Sequence, residues 1–166
     1  MTKKSIIKKF ELEPLPGEGG YFRRTYQSAL KTSIASKDGG SVVRSLGTAI
    51  FYLITRQEFS ALHRISSDEI FHFYLGDPVE MLQISEEGQN RKIILGPQIS
   101  TGQEVQVVVS ARTWQGTRLA SGGEYALLGT TVIPGFDFAD FELGKRKDMI
   151  ARFPHLEKEI IRYTRS

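Results

Sequence analysis

From Tyr21 to Ile133 apolar and polar residues alternate in short runs broken by Gly, Asp, Ser and Asn. The runs YFRRTYQ, TAIFYLIT, ALHRIS, EIFHFYL, VEMLQIS, RKIILG, VQVVV and EYALLGTTVI are rich in β-branched and aromatic residues. Several short strands at near-regular spacing predict an antiparallel sandwich or barrel rather than alternating βα units. The pattern differs at both ends. Residues 5–12 predict a short helix with Ile6, Ile7 and Phe10 on one side, stopped by Pro14, Pro16 and the Gly17–Gly20 cluster. After Phe141 the apolar positions Met149, Phe153, Leu156 and Ile160 recur at helical spacing and build one stripe, with Pro154 opening a second helical segment. That narrow stripe, flanked by both charge signs, is expected to pack on the outside of the barrel rather than on a membrane. The polar, glycine-containing stretch 28–45 predicts a long hairpin or mobile loop between two strands.

Composition narrows the picture. With 166 residues the chain is expected to fold as one domain, long enough to bury a core without staples. It has no cysteine, which removes disulfides, thiolate metal sites and a cysteine nucleophile and fits a reducing, cytoplasmic setting. No run approaches the roughly 20 apolar residues of a membrane span, and the N-terminal stretch lacks the continuous apolar segment of a signal peptide. The net charge of +3 is modest, and its basic residues cluster at the two ends, where they read as solvated helix faces. Neither a nucleic-acid module nor a basic patch interleaved with aromatics is present. The expected partners are therefore a small molecule and, to cover an open sheet edge, a second copy of the chain in a homodimer, with no nucleic acid and no membrane.

Candidate chemistry concentrates in residues 62–76. Ser66-Ser67-Asp68 is turn chemistry between two strand-like runs, so His63 and Glu69 are expected on adjacent strands. Alternation sets Ile65 with His63, and Phe71 and Phe73 with Glu69, while His72 falls on the opposite face, outward or at a subunit contact. A carboxylate within an apolar strand is costly without a partner or a purpose, and an imidazole beside it makes a site where burial can move a pKa towards neutrality. Further ligand-binding candidates are Arg23, on one face with Tyr21 and Thr25, Tyr52 and Tyr74 at strand positions, and Gln106, in phase with Val108 and Ser110. The Ser-x-x-Lys spacings at Ser5 and Ser28 lack companion motifs, and the glycines at 17, 19 and 20 do not precede a long helix.

These residues carry a resemblance. His63, Glu69 and Gly76 match three places of the first cupin motif at the right spacing, with Ile65 where a second histidine would stand. The second motif resembles 110–115, with Gln115 in place of its histidine. Glu18-Gly19-Gly20-Tyr21, Ser60-x-x-His63-Arg64, Asp68-Glu69-Ile70, Trp114-Gln115 and Pro134-Gly135-Phe136-Asp137-Phe138-Ala139-Asp140-Phe141 together resemble an uncharacterised cupin family, cupin family 5. The resemblance implies a mainly β, double-stranded β-helix (jelly-roll) barrel with short terminal helices, a pocket between its sheets and a common dimeric state. It implies no single reaction, because the superfamily spans oxygenases, isomerases, storage proteins and sensors. The corresponding metal set would be His63, Glu69 and Gln115, one imidazole, one carboxylate and one neutral amide, a weak set for a divalent transition metal. The expectation is no cofactor beyond such a weakly bound ion, and acid–base work by His63 and Glu69 with Gln115 orienting the ligand. The activity expected is isomerisation or epimerisation of a small polar, sugar-like metabolite; the alternative is a non-catalytic module that stores or senses such a ligand.

Overall fold

The computed structural model describes residues 2–35 and 39–165. Helix α1 (Lys3–Phe10) starts at Thr2, whose side chain accepts from the Ser5 amide while Ser5 reaches back to the Thr2 amide, a reciprocal cap that moves the start ahead of the expected residue 5. Two strands, β1 (Glu13–Pro14) and β2 (Tyr21–Gln27), flank the glycine turn. The 28–45 stretch forms the hairpin β3 (Lys31–Ala35) and β4 (Ser41–Ser45); residues 36–38 at its centre lie outside the described residues.

The remaining strands are β5 (Thr48–Thr55), β6 (Ser60–Arg64), β7 (Asp68–Gly76), β8 (Val79–Ile84), β9 (Asn90–Leu95), β10 (Gln106–Val109), β11 (Trp114–Leu119), β12 (Tyr125–Ile133) and β13 (Glu142–Leu143). They pair in two sheets, β1-β2-β5-β12-β7-β10 and β13-β6-β11-β8-β9. Alternation gives each sheet an inner face, and Tyr52, Ile54, Phe71, Ala126 and Leu128 of one meet Val79, Met81, Ile93 and Leu95 of the other in a shared core.

The outer faces are covered separately. Leu62, Leu82, Ile84 and Trp114 lie beneath the C-terminal helices α2 (Arg146–Arg152) and α3 (Glu157–Tyr163), which supply Met149, Phe153, Leu156 and Ile160 as the stripe predicts. On the other sheet, Leu53 and Leu127 pack under Ile6 of α1 and Leu12. No helix among the described residues is long and apolar enough to cross a membrane.

Three register shifts set which side chains enter the interior. In β6 the ladder passes from Gln115 opposite His63 to Thr117 opposite Ser60, so two residues, Ala61 and Leu62, lie across from Gly116. Leu62 packs outward beneath the C-terminal helices, and Ser60 and His63 both reach the interior although three apart. In β7 the shift leaves Tyr74 between Phe73, opposite Leu128, and Leu75, opposite Leu127. In β2 the shift falls between Arg24 and Tyr26.

Candidate functional site

A crevice opens at one end between the sheets. It encloses about 560 Å³ of free space partly open to solvent, of which about 50 Å³ can seat the centre of a water molecule. Phe22, Ile50, Tyr52, Ile65 and Val132 give it apolar walls, and Phe136 and Phe138 of the Pro-Gly-Phe-Asp-Phe segment close the rim. That segment follows a cis Ile133–Pro134 bond and is tied to the hairpin by Arg44, whose guanidinium donates twice to Asp140 at 2.7 and 3.1 Å. Both partners are largely buried, so the rim is held by a charge-assisted fork.

The floor holds three titratable groups. Nδ1 of His63 lies 2.8 Å from the Ala61 carbonyl; a carbonyl only accepts, so Nδ1 carries the hydrogen and Nε2 is the free ring nitrogen. Nε2 is 3.8 Å from Oε2 of Glu18, whose Oε1 accepts from Ser60 Oγ at 2.6 Å. The ring stacks on Phe141, centroids 5.2 Å apart. Glu69, on the neighbouring sheet, accepts from Gln115 Nε2 at 2.7 Å and from Thr130. Burial pushes the Glu69 carboxyl above the usual range; His63 counters that, Glu18 adds to it, and the Thr130 and Gln115 hydrogen bonds oppose it. Tyr52 also lines the crevice, but its hydroxyl donates to the Gly19 carbonyl at 2.8 Å, and burial holds its pKa far above the ordinary value.

The structure thus brings together His63, Glu69, Gln115 and Tyr52, with Gln115 behind Glu69 rather than in the wall. Phe71 and Phe73 do face inward with Glu69, yet they belong to the core below the crevice. Three expected ligand-binding residues lie outside. Arg23 shares a face with Tyr21 as expected, but it is the outer face, where it pairs with Glu11 at 3.2 Å; Arg24 lines the crevice instead. Tyr74 is half exposed on the outer face, stacked on His72, and Gln106 donates to His72 there, because the inward positions of β10 are Val107 and Val109. His72 is outward, as expected.

Glu18, Arg24, Thr130 and the two rim phenylalanines were not singled out as site residues from the sequence. The only signal for Glu18 was the Glu-Gly-Gly-Tyr motif. Its burial depends on Gly19 and Gly20 at positive φ: a Cβ on Gly20 would lie 2.8 Å from the Tyr52 ring, and one on Gly19 would lie 2.6 Å from the Phe59 carbonyl. Only glycine lets the chain press this close and turn Glu18 inward.

The donors can be tested against the metal set of the fold. Ile65 occupies one ligand place, and Gln115 turns its amide nitrogen, a donor, towards Glu69, while its buried oxygen has no hydrogen-bond partner among the described residues. Among those residues no three His, Cys, Asp or Glu side chains are grouped to hold an ion. The residues present do not fit that set.

Comparison with known proteins gives a family and relatives without assigned activity. The family model described as "Cupin superfamily (DUF985)" matches residues 4–144. The uncharacterized protein YML079W of Saccharomyces cerevisiae is 27% identical over 150 residues, 85% of this chain and 75% of that protein. A hypothetical protein from Leishmania major superposes with a TM-score of 0.90 at 28% identity over the whole of both chains. Protein SO0799 of Shewanella oneidensis gives 0.87 at 29% identity, over 99% of this chain and 98% of that one. At the level of fold alone, the likeness reaches a dTDP sugar isomerase of Desulfovibrio desulfuricans, with TM-score 0.53 and 16% identity over 81% of this chain and 87% of that one.

Proposed function

Because the chain belongs to the cupin superfamily, in its DUF985 family, we propose that the crevice of its cupin fold binds a small polar, sugar-like or keto metabolite and isomerises or epimerises it by acid–base chemistry. One observation carries this reading: His63 lines the crevice with Nδ1 pinned by a carbonyl and Nε2 left without a hydrogen, 3.8 Å from Oε2 of Glu18, the arrangement of a preset general base. A proton removed by Nε2 from a carbon next to a carbonyl leaves an imidazolium that Glu18 stabilises. Glu69, its carboxyl held towards the neutral form by burial, donates to the developing enolate oxygen. The proton then returns from Nε2 to the former carbonyl carbon while Glu69 takes the proton of the adjacent hydroxyl, which completes an isomerisation; an epimerisation requires the same carbon to be reprotonated from the opposite face, by water entering the crevice. Gln115 supports either state of Glu69, since an amide can offer its nitrogen to a carboxylate or, rotated, its oxygen to a carboxylic acid.

The walls are mainly apolar and the floor carries two carboxyl groups, so an anionic group on the ligand is directed to Arg24 at the wall, away from the floor. No step in this reading runs through a metal. Metal analysis of protein purified without an affinity tag is expected to find no stoichiometric transition metal; one equivalent, lost in His63→Ala, would overturn that part.

A second reading, a pocket that stores or senses its ligand, is favoured by the narrowness of the crevice. A thermal-shift screen of sugars, nucleotide sugars and keto acids on the native protein, His63→Ala and Glu69→Gln is expected to find ligands whose binding depends on both residues. Incubation of the hits in D2O, followed by proton NMR, decides between the readings: His63-dependent exchange at carbon supports catalysis, and tight binding without exchange supports storage. Ligands bound equally by both variants would remove this site altogether. The reading also includes a homodimer, with the exposed Leu30 and Val43 of the β3–β4 region covered by a second copy; a monomer by light scattering at micromolar concentration would contradict it.

A further inference from the structure

A groove on the outside of the five-stranded sheet encloses more free space than the crevice, about 1110 Å³ including open solvent against about 560 Å³. Its apolar lining comes from Ala61, Leu143 and Ile150, and its rim from Lys145, Arg146, Lys147 and Arg165; no Asp or Glu side chain is among the described residues that line it. The cations differ in how far they are used. Arg146 spends its guanidinium on neutral groups, the Thr164 hydroxyl at 3.0 Å and the Thr164 and Ile161 carbonyls. Arg165 donates to the Glu18 carbonyl at 2.6 Å and pairs with Glu58 at 3.3 Å. The side chains of Lys145 and Lys147, both exposed, have no hydrogen-bond or ion-pair partner among the described residues. Four positive charges around an apolar hollow are thus balanced by one carboxylate among the described residues, Glu58. Like charges gathered this way repel one another, and an anion relieves that repulsion.

From this juxtaposition we infer that the groove is a second ligand site, for a small organic phosphate whose apolar or planar body lies on Ala61, Leu143 and Ile150 while its phosphate meets Lys145 and Lys147. The lining explains the class: an inorganic anion leaves the apolar hollow unused, and a neutral ligand leaves the charges unpaired. The groove also touches the crevice machinery through the backbone. Ala61, whose carbonyl fixes His63 Nδ1, lines it, and Arg165 holds the carbonyl of Glu18.

ADP serves as the probe, with adenosine as its uncharged counterpart, in calorimetry on the full chain at low salt. The expected result is ADP binding to the native protein, no binding of adenosine, and affinity at least about tenfold weaker at high salt, because exposed charges are screened. Lys145→Glu/Lys147→Glu is expected to abolish ADP binding and Lys145→Ala/Lys147→Ala to weaken it, with far-UV circular dichroism and unliganded Tm unchanged. His63→Ala is expected to bind ADP as the native protein does, which separates this groove from the crevice. Absence of ADP binding to the native protein, unchanged affinity in the charge-reversed variant, or loss of binding in His63→Ala would each overturn the inference, whatever the fate of the acid–base reading.

Discussion

At the residue scale Glu69 carries the largest consequence. Its carboxyl is raised in the folded protein by burial, whereas in the unfolded chain it titrates near the ordinary value of about 4.3. Below that value both states hold the proton and burial costs no charge. As pH rises, the unfolded chain releases its proton first, so the contribution of Glu69 to stability is lost progressively until its folded value is passed. Glu69→Gln keeps an oxygen acceptor for Gln115 and removes this loss. The Tm of the variant minus that of the native protein is therefore expected to grow from about pH 4 upwards and to level off once the native carboxyl is ionised. A difference flat in pH would show that burial does not raise this carboxyl. The pair His63 and Glu69 was legible in the sequence from residue type and alternation alone. Glu18 was not, because a carboxylate in a glycine-rich turn reads as solvated until the turn is seen pressed against Tyr52.

At the element scale the register shifts matter most. The bulge in β6 lets Ser60 face inward together with His63, three residues further on, and nothing in SALHR announces it. The shift in β7 sets Tyr74 over Gly129, where an added Cβ would lie 2.2 Å from the tyrosine hydroxyl, and brings Gly76, at φ +104°, to the edge of β12, where an added Cβ would lie 2.4 Å from the Tyr125 carbonyl. The two contacts look alike and differ in kind. Gly76→Ala strains a left-handed position against backbone that cannot yield and is expected to lose about 1–3 kcal/mol in urea unfolding. Gly129→Ala meets only the far end of a half-exposed side chain, which can swing away, and is expected to cost less than half as much. Equal losses would show that Tyr74 is as firmly held as backbone. Arg23 and Arg24 illustrate the same limit on reading. Alternation tells that neighbours oppose each other, and the inner face went to Arg24 because Tyr21 beside Arg23 packs against the α1 side.

For the whole molecule, two sheets share one core and each buries its back under helix. The stripe Met149, Phe153, Leu156, Ile160 is the clearest case of sequence dictating tertiary role: all four are buried against Leu62, Leu82, Ile84 and Trp114. Ile160→Ala leaves a cavity in that layer and is expected to destabilise by about 2–5 kcal/mol. Because β6 lies between this layer and the crevice, Ile160→Ala is also expected to weaken binding of any crevice ligand at temperatures where the variant remains folded, measured by calorimetry. Unchanged affinity with reduced stability would show that the outer layer supports the fold without tuning the site.

By itself, the sequence determined the strand-rich architecture, the terminal helices, the outer stripe and the inward pair of His63 and Glu69, because period-two and helical repeats are local properties that each segment carries alone. The tertiary structure alone decided that Arg24 rather than Arg23 faces the crevice, that Tyr74 and Gln106 look outward, that Glu18 completes the floor, and that Arg44 locks the rim. Those outcomes depend on which of two equivalent faces meets the opposite sheet, on bulges that reset the alternation, and on contacts between residues far apart in the chain. No local pattern encodes them; they follow only once the sheets close on each other and leave one crevice where a carboxyl, an imidazole and a glycine-supported turn can meet.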